Sequence, residues 1–107
     1  MIFMKTWQKV LSGEKTQTRR LKRGRYQVGN TYAIQATRGG WPAGRIRMLR
    51  IWQQRLGTVS DQEAEAEGFK TVEEWLDVFC RVNACVGRIH PMDMVWGFEF
   101  ELVTEQC

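Results

Sequence analysis

The run Phe98-Glu99-Phe100-Glu101-Leu102 alternates apolar and acidic side chains. Successive side chains of a strand point to opposite faces, so this period of two predicts a β-strand dry on one face and wet on the other. Such a strand needs neighbours for its backbone and a cover for its dry face. Tyr32–Ala36 reads as a second strand. Within Arg45–Leu56 the pattern Ile46, Met48, Ile51 and Leu56 predicts a long strand, bent or bulged where the alternation slips. Ile2–Met4 reads as a short strand at the start.

Helical signals lie between these stretches. Trp7, Val10 and Leu11 recur at helical spacing, and Gly13 supplies a left-handed cap. Ser60-Asp61-Gln62-Glu63 spells a capping box, in which the hydroxyl and the Glu carboxylate each satisfy an orphaned backbone N–H, and Gly68 closes that helix. Thr71-Val72-Glu73-Glu74 spells a second box, leading a helix with Val72, Trp75, Leu76, Phe79 and Cys80 on one face. The expected class is α+β: a bent β-sheet or barrel with about three short flanking helices, favoured over a βαβ arrangement. Nothing in the 107 residues reads as a linker or repeat, so a single domain over 1–107 is expected.

Charge is unevenly distributed. Residues 1–50 carry twelve Lys and Arg against Glu14 alone, whereas residues 51–107 carry four basic and eleven acidic side chains. One reading is a positive surface that attracts phosphate; the other is two solvated faces that partly pair with each other. The absence of a long apolar run excludes a bilayer-spanning helix, and no export signal is visible, so the cytoplasm is the expected compartment and no membrane partner is expected. Cys80, Cys85 and Cys107 form no disulfide framework. Cys80, Cys85 and His90 match no established zinc spacing and lack a fourth ligand, so neither metal nor cofactor is expected.

The chemistry-bearing stretch is Gly13-Glu14-Lys15-Thr16-Gln17-Thr18-Arg19-Arg20. It sets an ammonium, a hydroxyl and a guanidinium directly after a helix end. Thr18 and Arg20 share a face if the segment is extended, and Lys15 converges on Thr18 only through a turn or bulge near Thr16-Gln17. Arg38 and Trp41 lie in the Gly-rich loop Arg38–Gly44, where Trp41 either stacks on a base or folds over the end of the barrel. Tyr26 offers the same choice.

The stretch matches Gly-x-Lys-x-x-Thr-x-Arg with Gly13, Lys15, Thr18 and Arg20 in the fixed positions, and in this the chain resembles the ASCH domains. The flanking turn Tyr26-Gln27-Val28-Gly29-Asn30, the acidic helix ending in Glu67-Gly68-Phe69 and the closing strand Val95–Phe100 extend the resemblance over essentially the whole chain. Asn30 departs from it, since Asp is more usual there. The resemblance implies a PUA-like barrel with a cleft lined by the motif, and RNA or a modified nucleoside as partner. Among these families the chain is similar in size to the small bacterial N4-acetylcytidine amidohydrolases. That likeness implies Lys15, Thr18 and Glu67 as a catalytic set acting on an exocyclic amide. Arg19, Arg20, Arg38 and Trp41 are the expected contacts to RNA or nucleoside. The alternative is a binding module that uses the same cleft without turnover. Catalysis needs a base to take the threonine proton, and Lys15 serves only if burial and neighbouring guanidiniums lower its pKa against the pull of Glu67. Arg20 or backbone N–H groups are the candidate oxyanion donors.

Overall fold

The computed structural model describes residues 1–3, 6–84 and 87–103. Its elements run α1 (Trp7–Ser12), β1 (Gln17–Arg20), β2 (Thr31–Ile34), β3 (Gly44–Arg55), a 3-10 turn (Leu56–Thr58), α2 (Asp61–Ala66), α3 (Val72–Val82) and β4 (Met94–Val103). The strands form one sheet of order β1-β4-β3-β2, and every pairing is antiparallel.

The long pair β3–β4 is the spine. Its register slips between Met48 and Arg50, which makes Leu49 the extra residue where the alternation was expected to fail. A bulge of this kind bends its strand and increases its twist. The turn at Gly29-Asn30 docks at the same point: the Gly29 N–H donates to Met48 O and the Met48 N–H to Asn30 O. The bent sheet curls into a half-barrel. Met1–Phe3 lies along the seam, parallel to Gln35, with the Phe3 N–H donating to Gln35 O and the Gln35 N–H to Met1 O. This segment makes a single bridge at Ile2 rather than the expected strand, and Met4 lies outside the described residues.

Inside the curl, Phe98 and Phe100 pack with Phe3, Val10, Ile34, Ile46 and Met48. A second cluster, with Leu56, Val59, Ala64, Trp75, Phe79 and Val95, lies beneath α2 and α3. The acidic alternates Glu99 and Glu101 face Arg50 and Arg47 across the outer surface. Residue Gly97 is required in this layer: a Cβ there would stand 2.3 Å from the Trp52 ring.

Helix ends follow their caps. Gly13 closes α1 at φ 82. Ser60 and Glu63 form the full reciprocal box on α2. At α3 only half of the second box forms: Thr71 accepts from the Glu74 N–H, while the Val72 N–H goes to Asp61 of the preceding helix. The buried face of α3 is also rotated from expectation. Trp75 and Phe79 are buried, but Leu76 and Cys80 are exposed, so Cys80 is no core residue. No helix among the described residues is long and apolar enough to cross a membrane.

Candidate active site

Strand β1 lies at the sheet edge with Thr18 opposite Phe98, Arg19 opposite Gly97 and Arg20 opposite Trp96. Alternation therefore turns Thr18 and Arg20 into the curl, while Gln17 and Arg19 face outward. The residue before the strand fixes what approaches it. The Thr16 N–H donates to Ala66 O at 2.7 Å, and Thr16 O accepts from the Phe100 N–H at 3.0 Å. This ties the C-terminus of α2 to the edge of the sheet and delivers Glu67, the cap of that helix, beside Lys15.

The two groups pair in a buried setting. Lys15 is 5% exposed and Glu67 is 2% exposed. The Lys15 Nζ donates to Glu67 Oε1 at 2.9 Å and to the Glu67 backbone oxygen at 3.1 Å. From the outer face of β1, Arg19 Nη1 donates to Glu67 Oε2 at 3.1 Å. Arg19 is fully enclosed. Its Nη2 donates to Gln17 Oε1 at 2.8 Å and pairs with Glu63, its Nε donates to Gln54 Oε1 at 3.1 Å, and its guanidinium lies 5.4 Å from the Trp52 ring centre. One buried carboxylate is thus shared by two cations. Burial pushes the Lys15 amine below its ordinary value; Glu67 opposes that shift, and the Arg20 and Arg19 charges add to it.

Thr18 is 6% exposed, and its hydroxyl has no hydrogen-bond partner among the described residues. Arg20 Nη2 donates to Ile2 O at 2.6 Å, yet its buried Nε has no partner among the described residues. An orphaned buried donor is uncommon enough to mark a place where a ligand acceptor would fit. Lys15 Nζ and the Arg20 guanidinium stand 6.0 and 5.7 Å from the centre of the Phe3 ring.

These groups line one end of a cavity of about 780 Å³, a size suited to a small organic ligand. Lys15, Thr18, Arg20 and Glu67 supply the polar end. Phe3, Leu21, Tyr26, Phe69, Trp75, Val78, Phe79 and Val82 supply apolar wall, with Lys22 and Arg81 at the side.

Lys15 and Thr18 share the cavity without touching through hydrogen bonds. The turn expected near Thr16-Gln17 lies upstream at Gly13-Glu14, and Lys15 turns to Glu67 instead. Arg38 and Trp41 do not line the cavity. Trp41 is 94% exposed in its loop, which removes the reading that folds it over the barrel end. Tyr26 is half-buried on the cavity wall, its ring edge-on to Tyr32 and Phe98. Of the zinc-reading residues, Cys85 lies outside the described ones, as does Cys107, and His90 Nδ1 accepts from the Met92 N–H. Sequence reasoning missed Glu63, Gln54 and Trp52 as supports. Glu63 was legible only as a capping residue, and its second partner, Arg19, comes from a distant strand.

No family model matches the chain, and no curated protein matches its sequence. Solved structures with the same fold include an ASCH domain from Lactobacillus crispatus JV V101, with a TM-score of 0.73 and 21% identity over 90% of this chain and 69% of that one. Another is a protein of Enterococcus faecalis V583 assigned to DUF984, with a TM-score of 0.74 and 24% identity over 91% of this chain and 66% of that one. The curled four-stranded antiparallel half-barrel with its three helices is the ASCH, PUA-like fold.

Proposed function

We propose that this ASCH-fold chain binds RNA or a modified nucleoside in the cavity beside β1, and that it hydrolyses an exocyclic amide of the N4-acetylcytidine kind with Thr18 as nucleophile. The observation that carries the reading is the meeting of Lys15, Thr18 and Glu67 at the polar end of a cavity of ligand size. In the proposed reaction the Thr18 oxygen attacks the acyl carbon and its proton passes to the neutral Lys15 amine. The burial that lowers the Lys15 pKa favours that neutral form. The oxyanion is met by the free Arg20 Nε–H. Collapse breaks the C–N bond, and the exocyclic nitrogen leaves with the proton that Lys15 took. Water, deprotonated by Lys15 or Glu67, then attacks the acyl-threonine, releasing acetate and restoring the hydroxyl. Such a site would act in the cytoplasm, where modified nucleosides and RNA are found.

A second reading is favoured by a specific observation. Lys15 is engaged with Glu67 rather than with the Thr18 hydroxyl, and Trp41 is fully presented to solvent beside Arg38. On this reading the chain binds RNA without turnover, with Trp41 stacking on a base. Incubation with N4-acetylcytidine separates the two. Release of cytidine and acetate, lost by more than about a hundredfold in Thr18→Ala while binding persists, supports the enzyme. An intact wild-type protein that leaves the amide untouched while binding RNA supports the binding module. Arg20→Ala weakens ligand binding on either reading.

A further inference from the structure

Arg19 borders the cavity, but strand alternation sets its side chain on the outer face of β1, where Gln17, Gln54, Glu63 and Glu67 occupy its guanidinium nitrogens. We propose that Arg19 is a positioning residue: by holding Oε2 of Glu67 from the outer face of the sheet, it divides that carboxylate between two cations and so sets how tightly Lys15 keeps its proton. The proposal rests on the catalytic reading of the site, although the proton affinity it concerns can be measured without turnover.

The geometry argues for a seat built for this purpose. Carboxylate oxygens of Glu67 are assigned one each, Oε1 to Lys15 at 2.9 Å and Oε2 to Arg19 at 3.1 Å. Arg19 cannot rotate away, because Gln17, Gln54 and Glu63 hold its remaining nitrogens. Trp52 backs the guanidinium, and that ring lies where it does because Gly97 beneath it has no Cβ. A guanidinium keeps its charge at any working pH, whereas an ammonium can yield a proton. In this cluster, then, Lys15 is the cation that can change state.

The charges facing Lys15 come from several elements. Glu67 caps α2 and pulls towards the protonated form. Arg20 and Arg19 on β1 push against it. Lys9 on α1 lies nearby, its amine donating to Gly68 O next to Glu67. Glu63 acts through Arg19, Tyr26 lies near Arg20 on the wall, and the Met1 ammonium is held by Ala33 O on the seam. Among the described residues, Arg19 alone shares the Glu67 carboxylate with Lys15.

The test is a titration of Lys15 in the full chain by NMR, with lysine labelled at Cε, in wild type, Arg19→Gln and Glu63→Gln. Removing Arg19 returns the whole carboxylate to Lys15 and strips an opposing charge, so the Lys15 proton affinity rises about tenfold or more, one pKa unit being a factor of ten. Removing the Glu63 charge leaves Arg19 more fully to Glu67 and moves Lys15 the opposite way. That opposite sign is something a merely structural role would not produce. Should Arg19→Gln fail to fold, Glu63→Gln carries the test, since Glu63 is partly exposed. Lys15 titrating as in wild type in both folded variants, or shifting in the same direction in both, overturns the proposal. If the wild-type protein turns over amide, the acid limb of kcat/KM moves to higher pH in Arg19→Gln and returns in Arg19→Lys. Absence of turnover in wild type sinks the catalytic reading alone, because the titration still decides the role of Arg19.

Discussion

At residue scale, the site depends on a charge imbalance that would be costly anywhere else. Two buried cations share Glu67, with Glu63 as a partly exposed second partner of Arg19. Breaking a buried pair by removing one partner strands the other charge. We therefore expect Glu67→Gln to lower stability by about 3–5 kcal/mol near neutral pH in urea unfolding. The deficit has a pH signature. Without Glu67 the folded-state pKa of Lys15 falls further below its ordinary value, so the unfolded chain binds more protons than the folded one between that lowered value and about 10.4. Stability of the variant should consequently rise with pH through that window. A deficit that stays constant from about pH 7 to 10 would mean that Lys15 does not titrate in it. Little of this was legible in the residues. Thr18 and Arg20 sharing a face followed from strand alternation; Arg19, expected as a ligand contact, borders the cavity while its guanidinium turns outward to Glu63, Gln54 and Glu67. Its parity is opposite to that of Thr18, which says which face it occupies; what occupies that face comes from α2, some forty residues away in sequence.

At the scale of elements, α2 is a six-residue helix that carries the catalytic candidate at its end. So short a helix has little stability of its own, and its capping box fixes where it starts while the Thr16–Ala66 hydrogen bond fixes where its end sits. Ser60→Ala should cost about 1 kcal/mol, the usual worth of an N-cap, measured as a shift in the urea midpoint. It should also lower turnover of the amide, if there is any, more than it lowers binding at Arg20. Local signals located these helices well because a cap acts within one turn and reads only its own neighbours. The second box formed only by half: Thr71 accepts from the Glu74 N–H, and the next N–H, that of Val72, is met by Asp61, a residue outside the helix. The face of α3 was misjudged because Val78 and Val82, which line the cavity beside Trp75 and Phe79, widen the apolar arc beyond the five expected residues to more than half of the helix. Which of them is buried depends on the angle at which α3 meets the half-barrel.

At whole-molecule scale, the basic excess of the first fifty residues is spent in several places. Lys15 and Arg19 are internal, Arg47 and Arg50 pair with Glu101 and Glu99 across β3 and β4, and Lys22, Arg25, Arg38 and Arg45 remain exposed. The pairing of the two faces is thus realised across β3 and β4, and the remaining exposed cations are what a phosphate would meet. If RNA is the ligand, affinity should fall steeply with salt, each neutralised phosphate adding roughly 0.7 to the slope of log K against log salt for a single strand. Trp41 fluorescence should be quenched on binding, and Trp41→Ala should weaken RNA binding by about 1–3 kcal/mol without altering the cavity. Salt-independent RNA affinity, or none, would remove nucleic acid as the ligand of this surface.

The sequence alone determined the kinds of element, most of their ends, the slip in β3 and the likeness to ASCH domains, because periodicity, caps and a spaced motif are properties of neighbouring residues. Tertiary structure alone decided that Glu67 lies between Lys15 and Arg19, that the buried Arg20 Nε–H finds no partner among the described residues, and that Trp41 stands clear of the cavity. Those outcomes depend on how far a bulged sheet curls and where it sets a short helix against its edge. Curvature and docking sum over many long-range contacts, and no single stretch of chain encodes them.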